Sequence, residues 1–480
     1  MINRIKKLQE KSEILEPNLE DRLHWQRKVE QYAFEFIDAL PQAKTYIPSS
    51  DQGIDLLNHP FSDDPISIEK ALDILDKNVD TPGLNPASGG HLGYIPGGGI
   101  FPTALGDYLA AVTNRYAGIF FGGPGAVRME NMLIKWMCSI MGYPTDSSGN
   151  LSSGGSIGNL IAIVTARDFK KIEPQIIPKS VIYLTSQVHH CVQKAIRIAG
   201  LNQAQTIYIP VDDNFKMDLN ALRKQIKTDL AEGKKPFLLI GSAGTTDVGA
   251  VDPLNDLADI AQEFNLWFHV DAAYGGFFML TDQGKEKMKG IERSDSLVID
   301  PHKGLFLSYG LGTVLIKNVK AQQDAHFYQA NYMQDALNDT SEISPADLSP
   351  ELTKHFRGLR LWLPLQLYGL APFKSALDEK LMLTQYFYHE IQKLGFEVGP
   401  FPELSVMIYR YVPTEGDAND FNKKLIQHVQ QDGRVFLSST TIDGKYWLRI
   451  AILAFRTHLK TVDLCLQVLR EGIEKLKQSN

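Results

Sequence analysis

The stretch Leu266–Gly276, "LWFHVDAAYGG", carries one acid, Asp271, at the end of an apolar, β-branched and aromatic run that passes into small residues. Such a run reads as a strand buried on both faces, and a carboxylate closing it needs a reason, because burying an uncompensated charge is costly. Similar runs occur at "VIYLT" (181–185), "QTIYIPV" (205–211), "PFLLIG" (236–241), "SLVI" (296–299) and "GTVLI" (312–316). Amphipathic segments such as "LNALRKQIKTDLAEG" (219–233) and "LNDLADIAQEF" (254–264) separate many of them. Buried strands alternating with amphipathic helices predict an α/β fold with a mainly parallel sheet covered on both faces. Sheets of this kind bind ligands beyond the carboxyl ends of their strands, so Asp271 is expected at a site.

The remaining chain sets bounds on function. With 480 residues and a formal charge of −7, there is room for more than one structural unit and no electrostatic reason to expect nucleic acid or an anionic membrane as partner. Cys138, Cys191 and Cys465 form no CxxC pair, so neither a disulfide framework nor a zinc site is indicated, and a cytoplasmic setting fits. The N-terminus lacks the apolar core of a signal peptide, and no run approaches the roughly 18 apolar residues of a membrane span. In "DRLHWQRKVEQYAFEFIDAL" (21–40), Trp25, Val29, Tyr32, Ala33 and Phe36 recur at helical spacing, a face that requires a partner surface. The glycine- and proline-rich stretch 81–102 contains aromatic residues and His91, which points to a packed loop rather than a tether. Beyond "ELTKHFRGLRLWLPLQLYGL" (351–370), a long helix, short strands and a last amphipathic helix form a smaller α+β unit.

The strand ends bring together His189 and His190, Thr245 and Thr246, Asp271, and Asp300 with His302 and Lys303. "LSSGGSIGNLIAIVTARD" (151–168) is a turn followed by apolar residues at 157, 160, 161 and 164, the signature of a buried helix face. Its first turn presents free N–H groups at Gly155 and Ser156, suited to an anion such as phosphate. Each feature alone has an ordinary structural explanation: Asp271 an Asx turn, the Ser/Gly segment a tight turn, Lys303 a solvated charge. Together they match pyridoxal 5'-phosphate, whose aldehyde condenses with a lysine, whose phosphate suits a helix N-terminus and whose ring nitrogen stays protonated beside a carboxylate.

At these residues the chain resembles the group II pyridoxal-phosphate decarboxylases, which act on aromatic amino acids, glutamate, histidine and diaminobutyrate. "HVDAAYGG" (269–276) and "DPHKGLF" (300–306) carry the likeness, with "SSGGSIGNLIAIVTARD", "GSAGTTDVGAVDPL" and "DLSPELTKHFRGLRLWLPLQLYG" in support. The resemblance implies fold type I, the aspartate-aminotransferase-like architecture of pyridoxal-phosphate-dependent transferases. It would comprise a helical dimerisation segment (1–85), a large cofactor domain with a mainly parallel seven-stranded sheet (86–360) and a small C-terminal α+β domain (361–480). It implies Lys303 as the Schiff-base lysine and Asp271 as partner of the ring nitrogen. Ala273 and His189 would lie on opposite ring faces; Gly155, Ser156 and His302 would hold the phosphate; Thr246 would sit near the ring. Arg449, in "YWLRIAIL", would position the substrate carboxylate, and no metal is implied. The reaction implied is decarboxylation of an L-amino acid to an amine, in a homodimer whose sites lie near the subunit interface.

Two departures bear on the outcome. The loop "QDALNDTSEISPADLSPEL" (334–352) lacks the tyrosine that assists Cα protonation in aromatic-amino-acid decarboxylases, and Tyr328 and Tyr332 lie at the wrong offset. Family members without it divert to oxidative deamination and give an aldehyde, which stands as the alternative, beside an acidic or diamino substrate. On the substrate side, Tyr94, Ile95, Pro96, Tyr116 and Phe120 would form an apolar wall and favour an aromatic amino acid.

Overall fold

A computed structural model describes residues 1–50, 52–328 and 341–478; Tyr332 and positions 334–340 of the loop fall outside these. A two-stranded antiparallel pair, β1 (Tyr46–Ile47) and β2 (Gly83–Leu84), precedes the main sheet. The main sheet comprises β3 (Ser148–Ser152), β4 (Ser180–Leu184), β5 (Gln205–Tyr208), β6 (Lys235–Ser242), β7 (Trp267–Asp271), β8 (Ser296–Ile299) and β9 (Gly312–Ile316). Their order is β3-β9-β8-β7-β6-β4-β5, and only β9 runs against the rest. The six apolar runs are strands as expected. The seventh, β3, reads "SGNLS", carries no strand pattern, and shares its last two residues with the segment whose sequence reads as a turn. It is fully buried by pairing with β9 rather than by its own hydrophobicity.

Alternation along each strand divides the core. On one face Phe268 and Val270 join Tyr183, Leu239, Leu297 and Leu315; on the other Trp267 joins Ile182, Leu238, Val298 and Val314. By the same period of two, His269 and Asp271 share the face of Trp267. That face is covered by the helix Gly155–Phe169, which differs from the expected amphipathic pattern. Of the four expected positions Ile161 is fully buried and Ile157, Leu160 and Val164 are half-buried, while Gly158, Asn159, Ala162 and Ala166 are also deeply buried. Small residues let the helix lie close to the sheet: a Cβ on Gly158 would meet Val298 at 3.0 Å.

A second sheet, β10 (Phe396–Val398), β11 (Val406–Tyr411), β12 (Ser438–Ile442) and β13 (Lys445–Ala451), is antiparallel in the order β10-β11-β13-β12. The helices Ala371–Lys393, Ala418–Asp432 and Leu459–Gln478 pack with it around a separate core. The loop after β2 joins the two units, with Leu92 N–H donating to the Phe436 carbonyl (2.9 Å) and Ile100 N–H to that of Phe306 (2.9 Å). Gly97 is required there, since a Cβ would stand 2.1 Å from the His302 carbonyl oxygen. Among the described residues, none in the helices Ile2–Ser12 and Leu19–Ala39 is buried, and Trp25 and Val29 are 44 % and 48 % exposed. The apolar stripe read from the sequence is therefore only partly covered in the single chain, with Tyr32, Ala33 and Phe36 half-buried. No helix among the described residues is long and apolar enough to cross a membrane.

Candidate active site

The carboxyl ends of β4, β6, β7 and β8 open onto a cavity of about 420 Å³ whose wall includes Lys303, Asp271 and His189. The other residues expected to hold the cofactor, Gly155, Ser156, Thr246, Ala273 and His302, line the same cavity. Gly155 and Ser156 open their helix, so their N–H groups are free of intrahelical partners. His190 is exposed while its neighbour His189 faces the cavity.

Lys303 lies on the short turn Pro301–Gly304 after β8, and its Nζ stands 3.0 Å from Asp300 Oδ2. Burial alone would push the ammonium down, but Asp300 and then Asp271 outweigh it and hold it above its ordinary value. His302 donates from Nδ1 to the Leu311 carbonyl (2.5 Å), which leaves Nε2 facing Asp300 Oδ2 at 3.7 Å. Burial, then the neighbouring His190, lowers the His189 imidazole, so a neutral flat ring is presented to the cavity. Asp271 accepts from the Ala273 N–H (3.1 Å) and from Asn159 Nδ2 (3.2 Å), so donors face both carboxylate oxygens.

The four expected substrate residues lie outside this cavity. Arg449 is behind it, donating from Nε to the Thr246 carbonyl (2.7 Å) and from Nη1 to the Tyr94 carbonyl (2.8 Å) and Ser438 Oγ (3.1 Å). It is 3 % exposed, and its Nη2 has no hydrogen-bond partner among the described residues. Tyr94 is 59 % exposed and packs its ring against Phe436 at 5.6 Å, Pro96 is buried, and Tyr116 is half-buried in a segment tied to the loop at Ser344 through the Phe120 N–H (3.0 Å). Tyr328 is 90 % exposed.

Among the cavity residues given no role from the sequence are Asp300, Cys191 and Asn159. Asp300 had been noted only as a strand end, although "DPHKG" places it three residues before the lysine it pairs with. Cys191 lines the wall with its thiol pushed up to about 12 by burial, which makes it a packing group rather than a nucleophile. Asn159 was hidden among apolar neighbours, and an amide in such a run is itself the signal.

These residues fit pyridoxal phosphate on the geometry alone. One cavity presents an ammonium, a carboxylate about which donors converge, a flat neutral ring and a helix N-terminus. Close packing keeps the cradle open, since a Cβ on Gly312 would lie 2.4 Å from Gly154 Cα and 2.5 Å from Asp300 Oδ1.

Comparison with known proteins agrees. The model of the pyridoxal-dependent decarboxylase conserved domain matches residues 55–412. The chain is 34 % identical over 384 residues to an aromatic-L-amino-acid decarboxylase of Bacillus atrophaeus, covering 79 % of each. It is 28 % identical to tyrosine decarboxylase 2 of Arabidopsis thaliana, covering 89 % of this chain and 81 % of that one. In fold it is similar to the crystal structure of Oryza sativa TDC with PLP and tryptamine, with a TM-score of 0.90 at 22 % identity over 96 % of this chain and 99 % of the other. The chain belongs to the pyridoxal-dependent decarboxylases, carboxy-lyases that use pyridoxal 5'-phosphate to release carbon dioxide from an amino acid.

Proposed function

We propose that this enzyme converts an aromatic L-amino acid to its arylalkylamine. The observation that carries the reading is the convergence of Lys303, Asp271 and His189 on one cavity, in a chain 34 % identical to an aromatic-L-amino-acid decarboxylase. When bound, pyridoxal phosphate supplies an aldehyde that captures the amine and a cationic ring that draws electrons from the breaking Cα–carboxylate bond. Lys303 would be the amine that holds the cofactor's aldehyde, and Asp300, 3.0 Å from its Nζ, would keep that amine an ammonium whenever it is free. Asp271 holds the proton on the ring nitrogen, which keeps the ring cationic. His189 and Ala273 pack against its two faces and exclude water. The N–H groups of Gly155 and Ser156, with His302, hold the phosphate, and Thr246 sits beside the ring. Arg449 holds the substrate carboxylate, and Tyr94, Pro96 and Tyr116 form its apolar wall with Ile95 and Phe120.

The apolar stripe of residues 1–85 supports a homodimer that also completes the substrate side, since Tyr94 is open in one chain. The large domain then spans 86–360 and the small one 361–480, and the enzyme works in the cytoplasm. The test is a panel of L-amino acids with product identification. Carbon dioxide and amine in equal amounts from an aromatic substrate is the expected result, with Lys303→Ala abolishing both turnover and the borohydride-reducible adduct. Aldehyde with peroxide, or activity confined to acidic or diamino substrates, would refute it.

A further inference from the structure

Behind Asp271 lies a line of polar side chains with one hydrogen-bond direction. Trp267 Nε1–H donates to Ser296 Oγ at 2.8 Å. The Ser296 oxygen lies 2.9 Å from His269 Nδ1, and His269 Nε2 lies 2.8 Å from Asn159 Oδ1. Asn159 Nδ2 then donates to Asp271 Oδ2 at 3.2 Å. The amide orientation is fixed independently, because Nδ2 also donates to the Gly155 carbonyl at 2.9 Å. With Oδ1 therefore facing His269, the imidazole must carry its proton on Nε2, and Nδ1 must accept the Ser296 hydroxyl proton. Asn159, His269 and Ser296 are fully buried and Trp267 nearly so, which excludes competing water. Burial pushes His269 down to about 4, against the pull of Asp271, so the ring is neutral and one tautomer suffices.

The line has a structural origin. Trp267, His269 and Asp271 alternate onto one face of β7, Ser296 is paired with His269 on β8, and Asn159 descends from the helix whose first turn offers the phosphate cradle. A buried polar network of this kind is costly unless every member is satisfied, and here each donor finds an acceptor nearer the carboxylate. We propose that Asn159 and His269 are positioning residues that lock Asp271 as a pure acceptor beside the cofactor's ring nitrogen, with Ser296 and Trp267 setting the His269 tautomer. The proposal rests on the assignment of Asp271 to that nitrogen. The other titratable groups that feel Asp271 are His189 in the turn before the helix Cys191–Ile198, Cys191 at the start of that helix, and Lys303 from the turn after β8, where Asp300 pairs with the lysine. None of them is hydrogen-bonded to the carboxylate among the described residues; Cys191 meets the line only at Asn159, whose Nδ2 also lies 3.5 Å from its Sγ.

The test uses holoenzyme reconstituted with cofactor 15N-labelled at the ring nitrogen, whose chemical shift reports protonation without turnover. In wild type the nitrogen is expected to stay protonated. In Asn159→Leu and His269→Leu its titration is expected to move down by roughly one to two pH units, as loss of a hydrogen bond to a charged acceptor predicts. kcat should fall about tenfold or more with KM changed far less. His269→Gln, which still donates to Asn159, is expected to restore most of the shift. Should a leucine variant fail to fold, Ser296→Ala removes one oxygen and must give a smaller shift in the same direction. A protonated wild-type nitrogen titrating identically in all variants overturns the relay. An unprotonated wild-type nitrogen instead refutes the role of Asp271, and the relay with it.

Discussion

Arg449→Met separates a substrate-binding arginine from a structural strut. Burial pushes the guanidinium down to about 10, and Asp247 only partly offsets this. At neutral pH the group remains protonated, so the fold carries the net cost of this shift, about 3 kcal/mol. Against this stand three hydrogen bonds, to the Thr246 and Tyr94 carbonyls and to Ser438, together also about 3 kcal/mol. The two nearly cancel, so the holoenzyme should melt within about 3 °C of wild type. Catalysis should respond quite differently. A buried cation with one unpartnered nitrogen gains a charge-assisted contact from a substrate carboxylate, and its loss should lower kcat/KM at least about 30-fold, the equivalent of 2 kcal/mol. The assay pairs thermal melting with steady-state kinetics and with inhibition by the product amine, which lacks the carboxylate and should bind as before. A drop in Tm above about 10 °C with KM unchanged would show Arg449 to be a strut and refute the reasoning.

Gly312→Ala should weaken cofactor binding at least about tenfold, measured by absorbance titration of the apoprotein, because its Cβ would displace the Gly154 backbone. Lys354 and Glu130, 2.8 Å apart and both buried, predict that Lys354→Met alone destabilises by about 3 kcal/mol or more, whereas Lys354→Met with Glu130→Leu is close to neutral in chemical denaturation. Additive losses would count against a coupled pair. His91 and His269 are each pushed down to about 4 by burial, while the unfolded chain protonates near about 6.5. Their stabilising contribution is thus complete above about pH 6.5 and is lost as the pH falls towards 4, up to about 3 kcal/mol for each. The urea midpoint should decline over that window and His91→Leu should flatten the decline; a midpoint indifferent to pH there would sink the argument.

The alternation of buried runs with amphipathic helices, and the polar residues closing those runs, were legible in the one-dimensional pattern. Lys303, Asp271 and His189 each had an ordinary explanation alone, and stood out only because all three follow or close buried apolar runs at the same end of the sheet. β3 was not legible, because "SGNLS" owes its burial to β9 across the chain and not to its own side chains. The reversed direction of β9 leaves no mark on composition either. On the helix Gly155–Phe169, the spacing of large apolar residues located the buried Ile161, but not the small residues through which the helix comes close to the sheet, where a side chain on Gly158 would meet Val298.

What the amino-acid sequence alone determined was the class of fold, the cofactor chemistry and part of the lining of its cavity, because periodicity and strand-end polarity are local properties of a chain. Only the tertiary structure decided which of those groups meet: that Lys303 pairs with Asp300, that Arg449 stands behind Thr246, and that Trp267 reaches Asp271 through Ser296, His269 and Asn159. Such contacts join residues as far as 203 positions apart, and they depend on strand order and register, which no local pattern specifies.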